Sequence, residues 1–181
     1  MSKRIVATLS ASSMQAAMQQ LQDYKKNLQH KCEIFVQRLA NKGIIVAEQN
    51  LGAYGNFITF NVEVNPHQNG ATAILIATNT GIIKSQWITK EGVKEADVSP
   101  LLMAEFGSGL RANNARAGEF GMGTGTFPGQ THAEDPDGWW YMDLSGEWHH
   151  SYGVSPTMPM WRAAMEIHDQ IIETAREVFG S

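Results

Sequence analysis

The fold is decided by a stretch that opens with Ala104-Glu105-Phe106-Gly107-Ser108-Gly109 and closes with Ser155-Pro156-Thr157-Met158-Pro159-Met160-Trp161-Arg162. In it, a short apolar segment ends at a pair of glycines, a loop over residues 107–157 follows, and a Pro-rich turn begins the last helix. Loops this long are uncommon in compact domains and are usually functional or disordered. The stretch holds four of the five Trp residues, so we expect the loop to pack against something.

Length and composition favour one globular domain over residues 1–181, because 43% of the residues are apolar and can form a core. The net charge of −4 argues against a general nucleic-acid binder, which needs a basic face. The single Cys32 excludes an internal disulfide framework and a zinc cluster of several cysteines. Apolar runs are too short for a membrane span or a signal core, so we expect no membrane partner and no export by the general route.

The first long element is a helix predicted over residues 10–42. Its apolar side chains recur in steps of three and four and form a stripe that Lys25 interrupts. The stripe consists of Met14, Met18, Leu21, Leu28, Cys32, Phe35 and Leu39. Three serines are candidate N-caps, namely Ser10, Ser12 and Ser13. Gly43 suits a left-handed stop after the helix. We expect the stripe to pack on a sheet; the alternative is a helix used for contact with a partner.

Alternating apolar residues predict an antiparallel meander of three strands, over residues 56–64, 72–78 and 82–89. An Asn-Gly pair at 69–70 indicates the first turn, and the connections are too short for parallel crossovers. Run 44–47 is apolar but too short to assign to helix or strand, and segment 101–106 is equally ambiguous. The polar run 90–100 is predicted to be a loop.

The last helix is predicted to begin at Pro159, since proline is tolerated in the first helical turn, and to be capped by Gly180. Its apolar face includes His168, which we expect to be a satisfied core or interface histidine. Helices and strands are segregated along the chain. The pattern predicts an α+β fold, with N-terminal and C-terminal helices packed on a small antiparallel sheet and a long Gly/Trp-rich loop before the last helix.

No arrangement in the sequence matches a catalytic or cofactor site. His132, Glu134, Asp135 and Asp137 lie close together, yet their spacing fits no zinc motif. The run Gly121-Met122-Gly123-Thr124-Gly125 is not followed by the Lys-Ser/Thr of a phosphate-binding loop. We therefore predict no enzyme activity, no metal and no cofactor. The alternative is a metal-dependent hydrolase that uses His132 and the acidic loop.

Glu105 stands out because it lies in an apolar segment just before the glycine pair. A buried carboxylate is costly unless it is paired or hydrogen-bonded. Three arginines are candidate partners, namely Arg111, Arg116 and Arg162. The alternative is a glutamate that faces solvent.

Three features together resemble the tail-component family of lambdoid-type, long-tailed bacteriophages. They are Glu-Phe-Gly at 105–107, the Gly- and Trp-rich loop, and the step Pro156-Thr157-Met158-Pro159-Met160 into a final helix. The members of this family are small tail-completion, or head–tail joining, proteins. The resemblance covers roughly residues 13–179, and Ser108 stands where the family usually has Thr.

The resemblance implies a structural virion protein without catalytic residues, located in the neck or tail and assembled in the host cytoplasm. It implies a self-associating ring, commonly a hexamer, that joins head-completion or connector proteins to the tail tube or tail terminator. DNA only passes through the lumen of such a ring. Six copies would carry a formal charge of 6 × −4 = −24, and an acidic lumen would weaken binding of the ring to the DNA phosphates. A tail terminator or minor tail protein is the alternative.

Buried aromatic side chains dominate protein interfaces, and adaptable Met residues suit contacts that form on assembly. The predicted interface residues are Glu105, Phe106, Trp139, Trp140, Tyr141, Trp148, Tyr152, Met158, Met160 and Trp161. Packing of the aromatic residues on the domain's own sheet is the alternative. We expect the double substitution Trp139→Ala with Trp140→Ala to leave the domain folded and to block particle assembly.

Overall fold

The computed structural model describes residues 5–6, 8–112 and 135–180, and all helices and strands named below lie within these ranges. The helices are α1 (Ala11–Gln49), α2 (Pro100–Phe106), α3 (Pro159–Asp169) and α4 (Ile171–Phe179). The strands are β1 (Ile58–His67), β2 (Gly70–Asn79), β3 (Ile83–Thr89), β4 (Gly92–Val98), β5 (Trp139–Met142) and β6 (Trp148–Ser151). Short 3-10 turns cover Gly52–Phe57 and Gly109–Arg111. The predicted α+β class is confirmed, with helices at both ends of the chain and antiparallel sheets between them.

α1 is a helix of 39 residues that continues past its predicted end. Ser10 caps it, since the Ser10 side chain accepts a hydrogen bond from the Ser13 N–H. The predicted stop at Gly43 is wrong. A Cβ at Gly43 would lie 2.7 Å from Cδ1 of Ile167, so this glycine allows α3 to pack closely on α1. The run 44–47 is helical, and α1 ends at Gln49 with Asn50 as its C-cap.

The strands form two antiparallel sheets, so the predicted three-stranded meander is wrong. β1 pairs with β2 over its full length, with Val62 opposite Leu75. β3 pairs with β4 and β5 in a second sheet, where Ile88 lies opposite Met142, and β5 pairs with β6. The third strand thus pairs with β4 and β5 rather than with β2, and the end of the predicted loop 107–157 carries the β5–β6 hairpin.

The polar run 90–100 contains β4 instead of the predicted loop. Thr89 pairs with Gly92 across a turn, and Gly92 has a φ of 115°, which glycine adopts without steric cost. Every residue of β4 before Val98 is exposed. The strand therefore lacks the apolar alternation by which strands are recognised in sequence.

The core lies where α1 meets β1, β2, α3 and α4. A buried cluster of Leu51, Ile58 and Ala104 links the end of α1 to β1 and α2. The last helix begins at Pro159 as predicted, but Gln170 divides it into α3 and α4. His168 is not a core residue, since its side chain is 77% exposed beside Asp169.

Candidate assembly surfaces

Glu105 is buried, with 6% of its surface exposed, and its carboxylate caps α3. Oε2 accepts a hydrogen bond from the Met160 N–H at 2.8 Å, and Oε1 accepts one from the Trp161 N–H at 3.1 Å. Amides in the first turn of a helix have no intrahelical partner, and the positive end of the helix dipole favours a carboxylate. The solvent-facing alternative is wrong. The expectation that a buried carboxylate is paired or hydrogen-bonded is confirmed by the two helix amides. Of the candidate arginine partners, Arg116 lies outside the described residues.

Backbone hydrogen bonds join the two ends of the fold-deciding stretch. The Ala104 carbonyl oxygen accepts hydrogen bonds from the N–H groups of Thr157 at 2.8 Å and Met158 at 3.0 Å. Ser108 and Val154 exchange a pair of backbone hydrogen bonds at 2.8 and 3.1 Å. The two motifs on which the family resemblance depends are therefore one structural unit, although the long loop separates them in sequence.

Two unusual backbone positions shape this unit. Gly107 has a φ of 76°, and a Cβ there would collide with the Val154 carbonyl oxygen, so the position requires glycine. Met158 has a φ of 54°, and its side chain makes no capping hydrogen bond to α3. A left-handed non-glycine residue is strained and persists where its surroundings hold it. Ala104 and Glu105 hold the turn around Met158, and Glu105 supplies the helix cap from α2.

The β5–β6 hairpin carries an exposed aromatic face, which we define as Trp140, Trp148, His150 and Tyr152. Trp140 is 64% exposed and Trp148 is 61% exposed. The Trp140 ring lies 4.6 Å from the His150 ring, and Tyr152 meets the same imidazole edge-on at 4.5 Å. These side chains share one face because residues two apart on a strand point the same way and Trp140 pairs with His150.

Trp139 and Tyr141 alternate with this face and lie on the other side of the hairpin. Trp139 lies over Gly109, where a Cβ would be 2.7 Å from Cζ3 of the indole. Tyr141 stacks on His149, with ring centres 5.3 Å apart. Trp139 therefore packs within the chain, which was the alternative considered for the aromatic residues. Because Trp139→Ala would disturb the fold itself, a test of the exposed face must use Trp140 and Trp148.

The remaining predicted interface residues divide between interior and surface. Phe106 is buried beside Glu105, whereas Met158 and Met160 are half-buried at the start of α3.

Trp161 is 42% exposed and lines a groove of 410 Å³ between the end of α1 and α3, which we call the α3 groove. Its lining consists of Val46, Asn50, Met158, Trp161, Arg162, Met165, Glu166 and Asp169. The sequence indicated its apolar side chains, but not that helices so far apart in the chain meet.

Asp143, Glu147 and His149 form a group with metal-ligand spacing that the sequence did not indicate, since their ligand atoms all lie within 4.8 Å of one another. Asp143 Oδ1 accepts hydrogen bonds from the Ser145 N–H and Oγ–H and from the Glu147 N–H. Asp143 Oδ2 lies 2.8 Å from Nε2 of His149. The hydrogen bonds from Ser145 and His149 lower the pKa of the Asp143 carboxyl well below its usual range. The group therefore closes the β5–β6 turn by itself.

No protein-family model, curated protein or solved structure matches the chain. The functional argument therefore depends on the residues of this chain alone. Among its described residues, no helix is long and apolar enough to cross a membrane. The glycine-rich run 121–125, His132 and Glu134 lie outside the part of the chain that the structure describes.

Proposed function

We propose that this chain is a structural virion protein of a bacteriophage neck or tail, which forms a ring, commonly six-fold, between the head connector and the tail tube. The observation that carries the proposal is the exposed aromatic face of the β5–β6 hairpin. Contiguous exposed aromatic residues mark protein interfaces, and Trp and Tyr are frequent anchors there. This face lies in the stretch whose motifs resemble the tail-component family.

A binding role is also favoured over a catalytic one. In the described residues, the single group with metal-ligand spacing is engaged in a hairpin turn. The buried carboxylate of Glu105 is likewise engaged, as the cap of α3. We therefore propose one domain over residues 1–181 without catalytic residues or cofactor, whose partners are copies of itself and adjacent neck or tail proteins, with DNA passing through the lumen.

We assign the aromatic face to contact with the adjacent protein layer of the particle. A closed ring also needs two different lateral surfaces on each subunit, because cyclic contacts are heterologous. Placement one layer further from the head, as a tail terminator or minor tail protein, would use the same surfaces. Locating the chain in a projection image of the particle separates these two positions.

The test is complementation of a phage that lacks this chain, using the variant Trp140→Ala with Trp148→Ala. Both side chains are exposed, so we expect the variant to fold with a stability within about 0.5 kcal/mol of the wild type. Truncation of an interface anchor costs about 2 kcal/mol or more in binding, so heads and tails should accumulate unjoined. Ile74→Ala, which alters a 46% exposed side chain on β2 in the other sheet, is the control and should complement normally. Normal joining by the double variant would contradict the proposal.

A further inference from the structure

The first half of α1 is a helical arm, which we define as residues 11–28. Only two of its residues are even half-buried, Ser13 and Ala17. Its large apolar side chains are between 41% and 63% exposed; they are Met14, Met18, Leu21, Tyr24 and Leu28. At 1.5 Å per residue, the arm is about 27 Å long. An isolated helix of this length is marginal in water, and a bare apolar stripe on it indicates a missing cover.

The stripe on the arm continues the face that is covered in the second half of α1. Leu21 and Leu28 are followed at the same spacing of seven by Phe35, whose ring lies 5.7 Å from the ring of Phe179 in α4. Further along, α3 packs on Gly43. The cover of the second half is therefore shared between α3 and α4 on one side and the β1–β2 sheet on the other. We expect the arm to need a similar apolar helical surface.

The α3 groove offers such a surface. Trp161 and Met165 contribute apolar area and are 42% and 43% exposed. The same groove carries two carboxylates, Glu166 and Asp169, and one guanidinium, that of Arg162, whose Nε–H donates to the Thr157 carbonyl oxygen. It thus combines an apolar lining with an acidic side, along a helix that is already anchored by the cap from Glu105.

Charge matches the arm to this groove. Lys25 interrupts the apolar stripe and Lys26 adjoins it, which leaves residues 11–28 with two lysines against one aspartate, a net charge of 2 − 1 = +1. α3 and α4 carry four acidic and two basic residues, a net charge of 2 − 4 = −2; they are Glu166, Asp169, Glu173, Glu177, Arg162 and Arg176. Opposite charges around an apolar contact set register and orientation. A lysine inside the stripe is therefore expected where the partner presents carboxylates.

The arm cannot reach the groove of its own chain. Leu21 lies on the arm and Val46 lines the groove, and both belong to the single helix α1. Twenty-five residues of helix separate them by about 38 Å. An arm that fills this groove must therefore come from another molecule. A contact between two different surfaces of identical chains is heterologous, and it repeats from copy to copy.

We propose that the arm of each copy lies in the α3 groove of the next copy, with Lys25 facing Glu166 and Asp169. This inference deepens the proposed ring by naming its lateral contact, and only the closure of the ring rests on the proposed function. The arm stripe is buried against Trp161 and Met165, so the contact extends the helical cover seen in the second half of α1.

The test mixes two defective variants of the full chain and measures mass by sedimentation velocity. Leu21→Asp breaks the arm and leaves the groove intact, whereas Met165→Asp breaks the groove and leaves the arm intact. We expect the wild type to associate between about 1 and 100 µM, which corresponds to a weak contact. Each variant alone should be monomeric, and an equimolar mixture should stop at a dimer with one copy of each. Ile82→Asp, at a 61% exposed site on neither surface, is the control and should behave as the wild type.

A charge exchange tests the register of the same contact. Lys25→Glu should weaken association about tenfold, and Glu166→Lys with Asp169→Lys should do the same, because each leaves like charges opposed. The chain that carries all three changes should recover most of the lost affinity, since every interface then has its charges exchanged. Failure of the triple variant to recover while both parents remain folded by circular dichroism would overturn the proposed register.

The outcomes separate this inference from the proposed function. Wild-type rings formed by Leu21→Asp would overturn the arm-in-groove contact and leave a ring-forming neck protein in place. Dimers of Met165→Asp alone would overturn it in favour of arm-to-arm pairing. Filaments that depend on both surfaces but never close would support the contact and contradict the ring. A wild type that is monomeric at 100 µM, or that floats as a monomer with anionic vesicles through the arm, overturns the contact.

Discussion

The two halves of α1 carry one apolar stripe but differ in burial. Leu39 is 7% exposed and Leu21 is 55% exposed, although both belong to the stripe. In the second half, the β1–β2 sheet, α3 and α4 provide the cover. Among the described residues, the arm is exposed along most of its length, and only its end at Lys25 and Lys26 lines a cavity beside the β1–β2 turn. Periodicity therefore shows that a helix face is meant to be buried, but not whether its cover belongs to the same chain.

The largest expected effect compares the two leucines directly. Leu39→Ala should lower the free energy of unfolding by about 3 kcal/mol, because it empties a site in a packed core. Leu21→Ala should change it by no more than about 0.5 kcal/mol, as for an ordinary surface position. Urea unfolding of dilute protein, followed by circular dichroism, measures both. Equal losses for the two variants would contradict the comparison.

The second effect concerns the cap that places α3 against the covered half. Glu105→Ala should lower the free energy of unfolding by about 2 kcal/mol, because two amides lose a charged acceptor inside the protein. Glu105→Gln keeps one acceptor oxygen and should lose about half as much. The same denaturant titration ranks the variants. A loss below about 0.5 kcal/mol for Glu105→Ala would show that the cap does not hold α3.

Proteolysis compares the halves without any substitution. We expect trypsin to cleave dilute protein after Lys25 or Lys26 about ten times faster than after Lys42, since frayed or locally unfolded segments are cut first. Lys42 is held by Gln170 and Thr174 at 2.8 and 3.1 Å. Mass spectrometry of early fragments identifies the sites. Cleavage after Lys42 before cleavage in the arm would contradict the expectation that the second half of α1 is the more stable half.

The smallest effect lies outside α1, in the turn of the β5–β6 hairpin. The folded-state pKa of Asp143 is lowered below its ordinary value of 3.8, so its contribution is present above about pH 4 and is lost as the pH falls through the folded-state pKa. Asp143→Ala should lower the melting temperature slightly and equally at pH 5 and 7. The difference in melting temperature between wild type and variant should disappear in stronger acid. Thermal scans at these pH values measure it. A difference in melting temperature that grows in acid would contradict the lowered pKa of Asp143.

Local features of the fold could be predicted from the sequence because they depend on neighbouring residues. Capping predicts a serine N-cap on α1, although not which of three serines supplies it. Alternation predicts the paired strands β1 and β2, and proline geometry predicts the helix start at Pro159. β4 was not predicted because it is exposed on both faces and lacks apolar alternation. The helix end was wrongly predicted at Gly43 because the sequence does not distinguish a glycine that stops a helix from one that allows close packing.

The candidate surfaces could be predicted only in part. The aromatic content of residues 139–152 predicted an interface segment. It did not predict that Trp139 packs inside while Trp140 is exposed, because this depends on where the strand begins. The capping of α3 by Glu105 joins two distant segments, and local patterns do not report such contacts. The apolar stripe of α1 could be recognised in the sequence. The boundary between its covered and exposed halves could not, because it is set by the length of the elements that pack on α1.

Hydrogen–deuterium exchange of the arm, measured at about 1 µM and at about 100 µM, tests most directly whether neighbouring copies cover the surfaces that one chain leaves bare. We expect residues 11–28 to exchange quickly in the dilute sample and to become protected in the concentrated one, while the second half of α1 is protected in both. Protection of the arm that is already complete in the monomer, or absent from the assembled protein, would contradict the central claim.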